Sequence, residues 1–236
     1  MNFLFLPGIN NTAATFDATC RNIPEPHQAK AVDLPALDDV DDIARAVLAD
    51  APPRFVVAGH SFGGYVALAV LAAAPERVDG VVLINSNDWS DSEAVAAGRE
   101  DKARQAEAGD YAKLADAASA RAYHPKNAGR EDLLQERATA LTAYGAERFA
   151  AHQRASAGRP DRGEMLRDSG KPVLIVTADQ DVVIPTERQS AMAERLGAEQ
   201  VIIAQAGHML PAEQPKALAE ALNAWAAKHF TLAEGA

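Results

Sequence analysis

Six short runs of apolar, β-forming residues punctuate the chain: Phe3–Leu6, Ala29–Asp33, Phe55–Ala58, Gly80–Ile84, Pro172–Thr177 and Gln200–Ala204. They are apolar on both faces and too short for helices, so they read as buried strands. Between them, apolar residues recur at helical spacing. In Asp38–Ala49, Val40, Ile43, Ala44, Val47 and Leu48 share one face and acidic residues occupy the other. Thr15–Ile23, Gly64–Ala74, Thr186–Leu196 and Pro215–His229 also read as helices. Breaks fall at Pro7-Gly8, Pro24 and Pro26, Pro52-Pro53 and Pro75. Strands alternating with helices predict an α/β fold with a doubly wound, mostly parallel sheet. Such sheets bind ligands at the carboxyl ends of their strands.

The alternation stops between about Asp88 and Gly170. Here Ala, Arg, Glu and Asp dominate, and four helical stretches follow one another: Ser92–Ala108, Tyr111–Tyr123, Arg130–Tyr144 and Ala146–Ala157. Gly109, Pro125-Lys126-Asn127 and Gly145 separate them. Four helices without a strand predict a lid. The expected division is a core of residues 1–87 and 171–236 and a helical cap insertion of residues 88–170.

Within the core, Gly59-His60-Ser61-Phe62-Gly63 fits G-x-S-x-G, with a strand before it and a helix after it. That is the context the motif requires. A serine on this strained turn stands out over the sheet, and side chains at Gly59 or Gly63 would crowd the backbone. A serine hydroxyl needs a base, and the base needs an orienting carboxylate. His208 follows the last strand in the loop Ala206-Gly207-His208, and is the best placed histidine. His60 is adjacent to the serine and points away from it, His124 and His152 lie in the expected cap, and His27 and His229 lie in an irregular stretch and near the C-terminus. Two carboxylates follow the fifth strand, Asp179 and Asp181. An oxyanion needs two N–H donors. Phe62 and Ile9, the latter in the loop after Gly8, are the expected pair; Asn10 and Asn11 offer side-chain donors or act as turn formers.

Composition narrows the partners. The 236 residues carry a net charge of -10, with 48% hydrophobic content and a pI near 5.1. An acidic surface argues against nucleic acid and anionic membranes, which leaves a small-molecule substrate. Cys20 is the single cysteine, so no intramolecular disulfide forms and a reducing, cytoplasmic setting is expected. Met1–Pro7 has no basic start and only a short apolar run, and reads as neither signal peptide nor membrane span. Histidines and carboxylates show no metal-ligand spacing, and no motif calls for a cofactor.

The set Leu6-Pro7-Gly8, Asp33-Leu34-Pro35, Gly59-His60-Ser61-Phe62-Gly63-Gly64, Asp181 four residues before Pro185, and Gly207-His208 followed by Glu213-Gln214-Pro215 resembles the α/β-hydrolase superfamily, in its cap-bearing serine hydrolase and esterase branch. The resemblance covers nearly the whole chain. It implies the order Ser, Asp, His, and it selects Asp181 over Asp179 through Val182-Val183-Ile184-Pro185. Three positions depart from the family pattern. Pro7-Gly8 replaces the usual His-Gly, Ala178 stands where glycine often precedes the acid loop, and two leading strands are missing, so the resemblance implies about six strands. Serine at the nucleophile position separates the chain from the chemistry of haloalkane dehalogenases and epoxide hydrolases.

The expected activity is hydrolysis of a small carboxylic ester through an acyl-enzyme. Ser61 is the nucleophile, His208 the base and Asp181 its orienter, with Ile9 and Phe62 as the oxyanion hole. Two alternatives use the same scaffold: a C–C bond hydrolase of a diketone-like metabolite, and a hydrolase-like ligand receptor with little turnover. Asn10, Trp89, Tyr123, Tyr144 and Phe149 are candidate pocket walls, against the alternative that the aromatics pack the cap onto the core. His124 and His152 are expected in solvated positions, and Arg159 lies where the cap returns to the core.

Overall fold

The computed structural model describes residues 1–119 and 121–230. Six strands, β1 (Asn2–Leu6), β2 (Gln28–Ala31), β3 (Phe55–His60), β4 (Val78–Ile84), β5 (Val173–Ala178) and β6 (Glu199–Ile203), form one sheet in the order β2-β1-β3-β4-β5-β6. Every pair is parallel. Helices cover both faces, as parallel sheets require. Alternate strand residues feed two separate apolar layers. Phe3, Phe5, Val56, Val82 and Val176 pack with α1 (Asp17–Asn22) and α10 (Pro215–His229). Leu4, Leu6, Val57, Leu83 and Ile175 pack against α2 (Val40–Ala49), α3 (Phe62–Ala73) and α8 (Thr186–Leu196). Each fully buried side chain of this size stabilises the fold by about 1.5–3 kcal/mol before entropy is counted.

The chain leaves β1 for β2 on one side and returns to β3 on the other. That reversal opens a crevice between the carboxyl ends of β1 and β3, where ligands bind in sheets of this kind. The edge strands differ from expectation. In β2, Gln28 and Lys30 are exposed while Ala29 and Ala31 are half-buried, and Ile202 of β6 is 52% exposed. An edge strand has a neighbour on one side only, so its outer face stays polar or wet. Strand β2 also starts one residue early and stops at Ala31, and β3 runs on to His60.

Between β4 and β5, residues 88–170 contribute helices and, among the described residues, no strand. These are α4 (Glu93–Gln105), α5 (Tyr111–Ser119), α6 (Glu131–Gly158) and α7 (Gly163–Asp168). Gly109 (φ 104°) kinks the π turn Ala106–Asp110 after α4, and Gly145 (φ 77°, ψ 169°) breaks α6 into two rods. Both backbone angles suit glycine, and both breaks lie where the sequence predicts them. The helix expected to reach Tyr123 is described only to Ser119; residue 120 lies outside the described residues, and Arg121–Tyr123 form a turn. Helix α7 and the one-turn α9 (Leu210–Glu213) are too short to leave a periodic signal. Among the described residues, no helix is long and apolar enough to cross a membrane.

Candidate active site

The turn from β3 into α3 carries Ser61 at φ 51°, ψ -118°, a conformation rarely held by a residue with a side chain. The surroundings enforce it. A Cβ on Gly59 would lie 2.2 Å from the Gly63 carbonyl oxygen, and one on Gly63 would lie 2.0 Å from that of Leu6 in β1. Gly64 meets the Ser86 hydroxyl in the same way, at 2.1 Å. Any larger residue would push the turn away from the sheet. The Ser86 hydroxyl then donates to the Ser61 carbonyl (2.7 Å), and the Ser61 N–H donates to Ile84 O (3.0 Å).

Two further loops converge on this serine. His208 Nε2 lies 2.9 Å from Ser61 Oγ, and His208 Nδ1 lies 2.9 and 3.1 Å from the two Asp181 oxygens. Asp181 follows β5 and is 4% exposed. Its Oδ1 also accepts the N–H groups of Val183 (2.8 Å) and Ile184 (3.0 Å), and Oδ2 accepts from Gln189 Nε2 (3.2 Å). Burial works to raise the Asp181 carboxyl, yet His208 and these N–H donors outweigh it and hold it below its usual range. Asp179 turns elsewhere and accepts the Ala206 N–H at 3.3 Å. The carboxylate brought to His208 is therefore Asp181.

The backbone behind His208 is held as firmly as its ring. His60 is wholly buried and donates from Nε2 to the His208 carbonyl (2.7 Å). Burial first, and the neighbouring His208 second, lower its pKa to about 3, so it stays neutral. Asn85, also wholly buried, donates to the carbonyls of Gly207 and His208 (3.0 Å each) and accepts the Ala178 N–H (2.8 Å). One amide thus ties the end of β5 to the His208 loop. Glu213 takes the Gly207 N–H on one oxygen, and the His124 N–H and Asn127 amide on the other, each at 2.8 Å. Sequence reasoning gave Asn85 no role. Its signal was a polar residue abutting the carboxyl end of a buried strand.

Ile9 and Phe62 both border the cavity that holds Ser61. Among the described residues, neither N–H meets an acceptor, which leaves both donors for a ligand. Asn11 folds inward and donates to Ile9 O (2.9 Å), fixing this loop. Asn10 Oδ1 accepts the Tyr111 hydroxyl at 3.2 Å. The Phe62 ring stacks on His152 with centroids 4.5 Å apart.

The cavity measures about 830 Å³, and both the core and the inserted helices line it. Of the expected wall residues, Asn10, Trp89, Tyr123 and Phe149 border it. Tyr144 does not. It is 5% exposed and packs in a cluster with Ala106 and Phe149, against which Ile9 of the core also packs, so it lies at the joint between the two parts of the molecule. His152 corrects a second expectation, because it is fully buried rather than solvated. Its Nε2 donates to Pro35 O (2.8 Å), which leaves Nδ1 to accept the Tyr144 hydroxyl. Burial lowers its pKa to about 4, so it too is neutral.

The pattern that defines the Alpha/beta hydrolase family matches residues 7–221, and the chain belongs to this family. The dihydrolipoyllysine-residue acetyltransferase component of the acetoin cleaving system of Cupriavidus necator is 32% identical over 180 residues, 74% of this chain and 45% of that protein. The pimeloyl-[acyl-carrier protein] methyl ester esterase of Nitrosomonas europaea is 30% identical over 93 residues, 36% of this chain and 37% of that protein. The matched stretches thus span less than half the length of these curated relatives. Among solved structures, a thermophilic esterase from Thermogutta terrifontis, described with malate bound, superposes with a TM-score of 0.91 at 21% identity, covering 98% of this chain and 91% of the other.

Proposed function

We propose that this alpha/beta hydrolase cleaves a small carboxylic ester by way of a serine acyl-enzyme. The observation that carries the reading is the relay of Ser61 Oγ, His208 and Asp181, with a 2.9 Å contact on each side of the imidazole. Ser61 Oγ attacks the ester carbonyl carbon and its proton passes to His208 Nε2. Asp181 orients the ring and stabilises the imidazolium. The N–H groups of Ile9 and Phe62 hold the oxyanion, aided by the positive end of α3. The imidazolium then protonates the leaving alkoxide, and the alcohol departs. Water attacks the acyl carbon, His208 takes its proton and returns it to Ser61, and the acid is released.

The esterases from Nitrosomonas and Thermogutta support the choice of ester chemistry. In this reading, residues 88–170 act as a cap over the strand ends, with Trp89, Tyr123 and Phe149 as walls for a small-molecule substrate. A cytoplasmic setting belongs to the same reading and is supported by the single, half-buried Cys20. The test is hydrolysis of 4-nitrophenyl acetate, butyrate and octanoate by wild type and Ser61→Ala. Multiple turnovers should fall by about four orders of magnitude or more in the variant, with the circular dichroism unchanged. Turnover that survives the substitution, or none in the wild type, overturns the proposal and leaves C–C bond hydrolysis and ligand reception as the readings to pursue.

A further inference from the structure

The chain carries a net charge of -10, yet the wall of its reaction cavity is cationic. Among the described residues, Arg99, Lys102, Arg121, Arg137, Arg159 and Arg188 border the cavity against one carboxylate, Asp91. A low-dielectric cleft lined by one sign of charge concentrates ligands of the other sign, whatever the net charge outside.

One part of this wall is built rather than scattered. Arg159 is 4% exposed and its guanidinium lies 3.9 Å from the centre of the Tyr65 ring. Its Nε donates to Trp89 O (3.1 Å), Nη1 to Ser156 O (2.6 Å) and Nη2 to Asp91 Oδ1 (2.8 Å). A guanidinium has five N–H donors, so two remain. The other Asp91 oxygen is taken by Arg99. Two guanidiniums therefore share one carboxylate, and the group is one anion short. Burial works to raise the Asp91 carboxyl, but the hydrogen bonds from Arg159 and Arg99 prevail and keep it ionised, so it offsets one of the two guanidinium charges and leaves the other without an anion. Arg188 sits 4.6 Å above the Trp89 ring and adds a third cation beside them. Tyr65, under Arg159, stands one turn along α3 from Ser61, about 6 Å of helix axis.

We infer that this cluster is an anion subsite, and that the substrate is an ester whose acyl chain ends in a free carboxylate, held by Arg159 with Arg99 and Arg188 while its ester carbonyl sits at Ser61. The inference deepens the proposed hydrolysis and rests on it. Ile9, Leu114, Leu141 and Phe149 also line the cavity and offer apolar surface for the carbon chain.

The test compares mono-4-nitrophenyl adipate, which carries the terminal carboxylate, with its neutral terminal amide, 4-nitrophenyl adipamate. Wild type should prefer the acid by about ten- to hundredfold in kcat/KM, mostly through KM, and the preference should shrink as salt rises to 0.5 M, a concentration of about 0.5 M leaving a Debye length well below 10 Å. In Arg159→Gln the ratio of the two substrates should fall towards one. Should that variant fail to fold, the exposed Arg188→Gln lowers the ratio by a smaller factor. Turnover of both esters at equal efficiency, or a ratio that both variants leave unchanged, overturns the subsite and spares the hydrolase. Turnover of neither ester overturns the proposed ester hydrolysis. The subsite is then decided by calorimetry of monomethyl adipate with Ser61→Ala protein, where saturable, salt-sensitive binding upholds it and no binding overturns it.

Discussion

The carboxyl edge of the sheet and the inserted helices handle charge in opposite ways. At the sheet edge, Asp181 and Glu213 are buried and tied to backbone. Asp181 binds two backbone N–H groups, Glu213 binds two, and the neutral amide of Asn85 binds three backbone groups. In the inserted helices charge meets charge on the surface: Arg104 with Asp101, Arg130 with Asp132, and Arg154 with both Glu100 and Glu107. Exposed pairs of this kind contribute little to stability. Backbone partners cannot rotate away, so the sheet edge holds reacting atoms at fixed distances. Exposed side-chain pairs can exchange partners, whereas Arg159, buried on Asp91 and two backbone carbonyls, keeps its place and has two N–H donors over for a substrate anion in the subsite inferred above. On the proposed reading, the core sets which reaction is possible and the insertion sets which molecule reaches it.

The strongest way to sharpen this contrast is to separate the two carboxylates that follow β5. Asp181→Asn keeps the size of the side chain but removes the charge that orients His208. It should lower kcat by about four orders of magnitude, by analogy with other serine triads. Asp179→Asn alters only a 3.3 Å bond to Ala206 and should leave kcat within about threefold, a difference expected of a lost surface-type hydrogen bond. Steady-state kinetics on a nitrophenyl ester reads both. Equal losses in the two variants would mean that the loop, rather than one carboxylate, carries the effect.

Asn85 tests the next claim, that backbone ties at the sheet edge serve the chemistry. Asn85→Ala leaves the Gly207 and His208 carbonyls with fewer donors, orphans the Ala178 N–H, and places alanine at a φ of 44° that asparagine tolerates better. Unfolding free energy should fall by about 3 kcal/mol, from unsatisfied buried groups. Because the residue acts through His208, kcat should fall about tenfold while KM stays near its wild-type value, the signature of an interaction that does not bind the ground state. A loss of stability with kcat untouched would reduce Asn85 to a structural link.

These residues also mark how far the sequence could be read. The six strands and the Ser61 turn were legible because each rests on local rules: short apolar runs, glycines where no Cβ fits, and helices broken by proline. The edge character of β2 was not, since burial depends on which strands lie alongside. Asp179 and Asp181 both follow the same strand, and only a family pattern separated them; nothing local says which one turns towards a histidine 27 residues later. The Arg159–Asp91–Arg99 group was invisible for a plainer reason. It joins residues 68 and 8 positions apart, Asp91 in the loop before α4, Arg99 in α4 and Arg159 just past α6, in a segment whose composition is charged throughout. Tyr144 stayed open between pocket wall and packing residue because an aromatic residue on an amphipathic helix looks the same whether it faces a cavity or seals a joint.

The joint that Tyr144 seals supplies a comparison within the comparison. His60 in the core and His152 in the insertion are both fully buried and both neutral, with pKa values of about 3 and about 4 that burial depresses first of all. In the unfolded chain each titrates near about 6.5. Between that value and the folded ones, the unfolded chain binds a proton that the folded chain refuses. Stability is therefore complete above pH 6.5 and is lost as pH falls towards 4, at up to about 1.4 kcal/mol per pH unit for each histidine. The depressed carboxyls, Asp181 and Asp91, add their own loss only below about pH 4, the ordinary carboxylate range. Urea unfolding between pH 6.5 and 4.5 thus isolates the histidines. His152→Gln should lower stability at pH 7 and reduce the slope in this window, with His60, and the less buried His27 that burial also depresses, supplying the remainder. An unchanged slope would mean that protonation of His152 opens the joint without unfolding the core, and the insertion would then part from the sheet edge before the rest of the molecule melts.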